Sequence, residues 1–116
     1  YADIQYRWSL GPEADRLNRV AAHTYQMAYE QPVVYEMSLI SAKTLIIVGQ
    51  ADRSAIGRNR VPAEVRDTMG LFTKLVAAAA QTMPDAIPVI LNGVGHIPHL
   101  EAPEQFHAAL HSFLGM

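Results

Sequence analysis

The sequence predicts an α/β fold in which parallel strands are joined by crossover helices. Two blocks of apolar, largely β-branched residues share one pattern: each stops at a glycine and then presents one ionisable side chain. The first block is Thr44–Asp52 and the second is Pro88–His96. A helical pattern lies between them, as the connection between parallel strands requires. Right-handed crossovers would place the acid of the first block and the base of the second at the same edge of the sheet.

The N-terminal part of the chain carries one clear helix pattern. Residues 1–11 are rich in aromatic side chains and show no clear period. From Ala14 to Glu30, apolar residues recur at steps of three and four, which predicts a helix.

The rest of the chain alternates between strand and helix. Thr44–Val48 and Ile87–Leu91 are predicted to be short strands, apolar on both sides like the buried strands of parallel sheets. Leu71–Met83 is predicted to be the crossover helix, and a last helix begins near Pro103. The polar segment Arg53–Gly70 predicts a long loop with a turn of helix. Two strands make a small sheet, so we expect further strands from outside this sequence.

Composition and charge exclude several classes of protein. The chain has 116 residues, of which 50% are apolar, so we expect a compact fold rather than disorder. A formal net charge of -2 and the absence of a basic run argue against a nucleic-acid or anionic-membrane partner. No apolar stretch could span a bilayer, and no signal-peptide pattern occurs. Cysteine is absent, which excludes disulfides and thiolate chemistry. We predict a soluble protein, of either the cytoplasm or the periplasm.

The ionisable residues that end the two blocks are suited to proton transfer. Asp52 lies three residues after Gly49, and His96 directly follows Gly95. In open parallel sheets, functional sites form beyond the carboxyl ends of the strands. A neutral imidazole can take a proton from a hydroxyl nucleophile, while a carboxylate on its other nitrogen fixes the tautomer. Taken singly, Asp52 suits a turn or a helix cap and His96 suits an ordinary loop, but the joint pattern favours catalysis.

The residues around this pair are similar to a known family pattern. Gly49–Asp52 matches a G-x-x-D context, and a longer string that contains His96 matches G-x-G-H-x-P-H-x-E-x-P-E. In this sequence the string is Gly93-Val94-Gly95-His96-Ile97-Pro98-His99-Leu100-Glu101-Ala102-Pro103-Glu104. From about Ser41 to Met116 the chain resembles the C-terminal part of an α/β-hydrolase, and residues 1–40 resemble the end of a helical cap. The resemblance implies a triad in the chain order Ser, Asp, His, with Asp52 as its acid and His96 as its base.

The nucleophile of that family pattern is missing. No G-x-S-x-G motif occurs, and no serine has flanking glycines or a strand-to-helix elbow, so none is predicted to be the nucleophile. The serines are Ser9, Ser38, Ser41, Ser54 and Ser112. The oxyanion-hole segment is absent too. We therefore expect a piece of a hydrolase that is inactive alone and is completed by the missing N-terminal part of the same protein or by a second copy.

The resemblance implies a serine esterase that acts on a small carboxylic ester. Two alternatives stay open. A dehalogenase or an epoxide hydrolase would keep the fold and use an Asp nucleophile at the elbow. A non-catalytic chain would act by binding a partner.

The remaining histidines and arginines are predicted to have no catalytic role. His107 and His111 lie four residues apart on the last predicted helix, as paired metal ligands do, but no third ligand falls beside them. His99 is expected, from the family pattern, to pack or hydrogen-bond near the site. The arginines of Arg53–Gly70 are expected to be solvated rather than to bind an anion. We predict no metal and no cofactor.

Overall fold

The computed structural model describes residues 2–116, with side chains described from Tyr6 onward. Contacts divide the chain into two compact units, of which the first ends at Tyr35 and the second spans Glu36–Met116. No helix among the described residues is long and apolar enough to cross a membrane. The identification of residues 1–40 as the end of a helical cap stays a prediction.

The first unit consists of helices. Helix α1 spans Ala2–Leu10, helix α2 spans Ala14–Glu30, and a 3-10 turn follows at Val33–Tyr35. The bounds of α2 are those that the apolar period predicts. The sequence pattern did not predict α1, whose described apolar side chains Tyr6 and Trp8 are 63% and 58% exposed. Exposure does not distinguish the two helices, since α2 has no buried residue, but α1 has 9 residues and α2 has 17, so α1 offers fewer positions at which a period can repeat.

The second unit contains both strands. Its elements are β1 (Thr44–Gly49), α3 (Ala63–Arg66), α4 (Phe72–Thr82), β2 (Ala86–Leu91), α5 (Pro98–Glu101) and α6 (Pro103–Leu114), with 3-10 turns at Met37–Leu39 and Arg58–Arg60. The order of strand, crossover helix, strand and final helix is the predicted one. The structure adds α5, a single helical turn that separates the second strand from α6.

The described strands form a parallel pair. Thr44 lies opposite Ala86, and the register continues to Gly49 opposite Leu91. Helix α4 connects the strands and contacts both of them. Helix α6, which follows β2, also contacts both strands. The prediction of parallel strands joined by a crossover helix is confirmed. Since the strands run in the same direction and in register, their carboxyl ends lie side by side.

The strands are less covered than the sequence predicts. On β2, Ile87 and Ile90 are 41% and 42% exposed, whereas Leu91 at the end of the strand is buried. Val76 of α4 and Val94, which follows the strand, are buried as well. Apolar residues on both sides of a strand are typical of a sheet covered on both faces, and the described helices cover this one only in part.

The predicted long loop between β1 and α4 is folded back on itself. It contains the 3-10 turn and α3 rather than a single helical turn. Arg53 at its start donates a hydrogen bond from Nη2 to the carbonyl of Asp67, at 3.0 Å. A Cβ atom on Gly70, which has a φ of 64°, would lie 2.8 Å from the carbonyl oxygen of Arg53. The loop therefore leaves and returns at nearly the same place, directly beside the end of β1.

Candidate active site

Main-chain hydrogen bonds join the segments that follow the two strands. Gln50 donates its N–H to the carbonyl of Leu91, at 2.8 Å, and Ala51 donates to the carbonyl of Val94, at 2.9 Å. The sheet pairing thus continues past the last residues of both strands. Because backbone groups carry these bonds, the side chains of Gln50 and Ala51 are not part of them.

The glycines that stop the two apolar blocks have different roles. A Cβ atom on Gly49 would overlap the carbonyl oxygens of Val94 and Gly95, so Gly49 lets one segment lie directly against the other. Gly93 has a φ of 71°, a left-handed conformation that residues with a side chain rarely adopt, and it turns the chain directly after β2.

The structure brings Asp52 and His96 together. Nδ1 of His96 lies 2.9 Å from Oδ2 of Asp52, across 44 residues of sequence. The Asp52 side chain is 7% exposed, whereas that of His96 is 65% exposed. The second carboxylate oxygen of Asp52, Oδ1, accepts the backbone N–H of Ser54 at 2.7 Å. The acid is thus buried and fixed at both oxygens, and the base lies outside it, toward solvent.

Opposing effects act on the pKa of Asp52. Burial is the largest of them and raises the pKa, because the charged carboxylate loses hydration. Hydrogen bonds from His96 and from the backbone and side chain of Ser54, together with the charge of His96, lower it. Their sum exceeds the effect of burial, so the pKa of Asp52 lies below its ordinary value of 3.8. Asp52 is therefore ionised at neutral pH.

The contacts of His96 distinguish its two ring nitrogens. Because its partner is an ionised carboxylate, Nδ1 is assigned the proton and donates a hydrogen bond to Asp52. Nε2 then carries a lone pair. No described residue hydrogen-bonds to Nε2. The hydroxyl of Ser54 lies 2.7 Å from Nδ1, on the same nitrogen that Asp52 occupies. A nitrogen that already carries a proton cannot take another from Ser54, so Ser54 does not lie in the position of a nucleophile.

Glu101 contacts the backbone on both sides of His96. Its Oε2 accepts the N–H of Gly95 at 2.7 Å, and its Oε1 accepts the N–H of Ile97 at 2.9 Å. The bonds from Ile97 and Gly95, in that order of size, lower the pKa of Glu101 below its ordinary value, because they favour the charged carboxylate. Weaker effects of burial and of the Asp52 charge raise it, and the charge of His96 lowers it.

The other histidines lie outside this arrangement of contacts. The rings of His107 and His111 stack with centroids 6.2 Å apart, and His99 packs edge-on against Phe106 at 5.8 Å. No group of three or more potential metal ligands occurs among the described residues. Of the loop arginines, Arg53 and Arg66 donate to backbone carbonyls of their own loop.

Sequence reasoning missed Ser54 and Glu101. The spacing of Asp52 and Ser54 contains a usable signal, since an Asp side chain often bonds to the backbone two residues on. For Glu101 the sequence shows only its place in the Gly-rich string. That its carboxylate reaches back to two amides depends on the turn of α5, which the sequence did not predict.

A solved structure is similar to most of this chain. A crystal structure of a probable hydrolytic enzyme from Pseudomonas aeruginosa PAO1 matches 90% of the chain with a TM-score of 0.84 and 38% sequence identity. The chain spans 33% of that protein's length. Comparison with protein-family models gives no match, and neither does comparison with curated proteins.

Proposed function

We propose that this chain carries the acid and the base of a hydrolytic site of the α/β-hydrolase type, with Asp52 as the acid and His96 as the general base. The observation that carries the proposal is the contact between them: a buried carboxylate holds Nδ1 of an exposed imidazole and leaves Nε2 unoccupied by any described residue. This is the arrangement that a serine hydrolase needs of its acid and base. Similarity to a protein described as a hydrolytic enzyme supports the same reading.

The proposal places the nucleophile outside these 116 residues. Ser54 lies on the wrong nitrogen of His96, and the remaining serines lack the sequence context of an elbow. The related crystal structure is of a chain of which this one spans 33%, so a protein of that length has ample room for a nucleophile and an oxyanion hole. We assign the nucleophile to a serine and the substrate to a small carboxylic ester.

The chemistry assigns one task to each group. The serine oxygen attacks the acyl carbon while Nε2 of His96 takes the hydroxyl proton, and the same nitrogen then gives that proton to the departing alkoxide. A water molecule next gives a proton to Nε2 and attacks the acyl-enzyme; as the bond between the acyl carbon and the serine oxygen breaks, Nε2 returns that proton to the serine oxygen, which releases the acid and restores the serine. Throughout, Asp52 remains ionised and stabilises the imidazolium. Its lowered pKa suits that task.

The sheet also requires a partner in this proposal. Ile87 and Ile90 of β2 are partly exposed, and no described strand pairs with the outer edge of either strand. Apolar faces and open strand edges of this kind favour pairing with more sheet. We assign the missing strands to the N-terminal part of the same protein, with a second copy of this chain as the alternative, and residues 1–40 to the end of a helical cap.

The test is turnover of nitrophenyl esters by the chain expressed together with its upstream coding sequence. His96→Ala and Asp52→Asn should each reduce kcat, the former by about a thousandfold or more. His23→Ala is the matched control, because His23 is exposed on α2 and has no role in the proposal. Turnover that survives both substitutions would contradict the assignment of these residues.

The same preparation distinguishes the alternatives. Turnover of haloalkanes or epoxides in place of esters would indicate that the nucleophile is an Asp rather than a serine. Absence of turnover on all three substrate classes would favour a binding chain.

A further inference from the structure

The carboxylate of Glu101 accepts hydrogen bonds from the amides on both sides of His96, and the proposed mechanism does not use it. Glu101 lies at the end of α5, a helix that begins directly after Ile97. Its own N–H donates to the carbonyl of Ile97 at 2.9 Å, while its Oε1 accepts the N–H of Ile97. The turn therefore brings this side chain back onto the residues that flank His96.

Helix capping alone does not account for this contact. The bond from Ile97 is of the kind that an acidic side chain makes to the N-cap amide of its own helix. The bond from Gly95 is different, since Gly95 lies two residues before that cap and belongs to no helix. One carboxylate thus holds the amides before and after His96, and both of its oxygens are used.

The Glu101 carboxylate occupies the space that a side chain at position 95 would need. A Cβ atom at this position would lie 2.7 Å from Oε2 of Glu101 and 2.9 Å from Oε1, so a side chain at residue 95 would push the carboxylate away. The glycine before His96 therefore leaves room for the carboxylate.

We propose that Glu101 is a positioning residue for His96: by binding the amides of Gly95 and Ile97, it fixes the backbone from which the imidazole projects and so the direction in which Nε2 faces the substrate. The inference rests on the proposed function of His96. Since a general base works only within hydrogen-bond reach of its proton, a small rotation of this backbone costs rate without removing any reacting group.

The substitution Glu101→Gln tests the hydrogen bonds of this side chain without changing its volume. An amide oxygen can accept one of the two N–H groups, but the amide nitrogen then faces the other N–H as a second donor. Glu101→Gln therefore keeps the shape of the side chain and loses one bond. Glu104→Gln is the matched control, because Glu104 is also exposed, lies at the start of α6 and has no hydrogen bond given to its side chain by the described residues.

The first experiment measures the contact without turnover. In the chain expressed with its upstream sequence, amide hydrogen exchange at neutral pH should accelerate about tenfold in Glu101→Gln at whichever of Gly95 and Ile97 loses its bond. The control Glu104→Gln should leave both rates unchanged. Unchanged exchange at both Gly95 and Ile97 in Glu101→Gln would overturn the inference.

A second signal comes from acid titration of the same amides. As Glu101 takes up a proton, both amide protons should shift together, with a midpoint below the ordinary Glu value of 4.5. The titratable groups near this carboxylate are Asp52 and His96, so the shared transition must persist in Asp52→Asn and vanish in Glu101→Gln. A transition that persists in Glu101→Gln would also overturn the inference.

Kinetics then test the positioning role. Glu101→Gln should lower kcat on nitrophenyl esters by about tenfold and leave KM within about twofold, since the substrate contacts are untouched. A purely structural role would lower the unfolding temperature and leave kcat per folded enzyme unchanged, which would overturn the inference while His96→Ala still supports the proposed function. Absence of turnover in the unsubstituted protein would overturn the proposed function instead, and the exchange rates would still report on the contact.

Discussion

Gly49 lies against the backbone of Gly95, so closely that no side chain fits between the end of β1 and the segment that carries His96. An added Cβ atom would overlap the carbonyl oxygens of Val94 and Gly95. The same segments are also joined by main-chain hydrogen bonds from Gln50 to Leu91 and from Ala51 to Val94. The acid and the base therefore owe their proximity to backbone packing before any side-chain contact forms.

Gly49→Ala should destabilise the fold. The backbone around Val94 would have to move, and overpacking of this kind costs about 1–3 kcal/mol in free energy of unfolding. Urea denaturation of the chain expressed with its upstream sequence measures the loss. Gly11→Ala is the control, because a Cβ atom there would find only ordinary contacts, the nearest at 3.6 Å. Equal effects of the two substitutions would show that the segments can separate without cost.

Asp52→Asn should lower kcat by at least about a hundredfold. The amide keeps the size of the carboxylate but no longer stabilises the imidazolium, and its N–H₂ group favours the tautomer with the proton on Nε2. Initial rates on nitrophenyl esters measure the loss. Asp85→Asn in the exposed turn before β2 serves as control. A loss confined to KM would contradict the role of Asp52 in orienting His96.

The contribution of Asp52 to stability should depend on pH. Hydrogen bonds from His96 and Ser54 outweigh burial and hold its folded pKa below 3.8, so the unfolded chain binds the proton first as the pH falls. Stabilisation by the carboxylate is therefore fully present above the ordinary value and is lost as the pH drops through the folded value. The difference in unfolding free energy between the unsubstituted protein and Asp52→Asn should shrink below 3.8. A difference that does not vary with pH would contradict the shift.

Ser54→Ala should reduce kcat by less than about tenfold, because it removes the contacts of one hydroxyl with His96 and Asp52 and leaves the backbone bond from residue 54 to Asp52. The pKa of Asp52 should also rise toward its ordinary value. Ser112→Ala on the exposed side of α6 is the control. If Ser54→Ala instead abolishes turnover as completely as His96→Ala, the nucleophile lies within this chain.

The 116-residue chain on its own should self-associate at micromolar concentration. Ile90 is partly exposed on a strand whose outer edge is unpaired among the described residues, and such strands pair with other chains. Ile90→Lys should weaken the association, whereas Ile56→Lys should not, since Ile56 is 62% exposed on the loop rather than on the sheet. Light scattering reports the outcome, and a stable monomer without substitution would contradict the proposed need for more sheet.

The sequence was informative where a residue pattern repeats along an element or where backbone geometry restricts residue choice. The apolar period of α2 and the β-branched runs of both strands predicted elements close to those observed. The glycines before Asp52 and His96 predicted that two distant segments would meet at one sheet edge, and the 2.9 Å contact bears out that proximity. Their catalytic roles stay a proposal.

The sequence was less informative where geometry depends on a single turn or on partial exposure. Helix α1 has only 9 residues, against 17 in α2, so few positions were available for an apolar period to repeat. The role of Glu101 depends on one helical turn that reverses the chain after Ile97, and a four-residue helix has too few positions for a pattern. Exposure of Ile87 was also unexpected, because residue type records what a strand can bury and not what covers it.

The main-chain bonds from Gln50 and Ala51 give the acid–base pair a tolerance to sequence change. Every amino acid except proline supplies the same N–H group, so neither bond depends on which side chain occupies position 50 or 51. Variation at the exposed position 51 can therefore leave Asp52 and His96 in place, whereas variation at position 50 also removes the contact of the Gln50 side chain with the N–H of Gly93, at 3.4 Å. A saturation library at position 51 should yield variants that share one pH–rate profile.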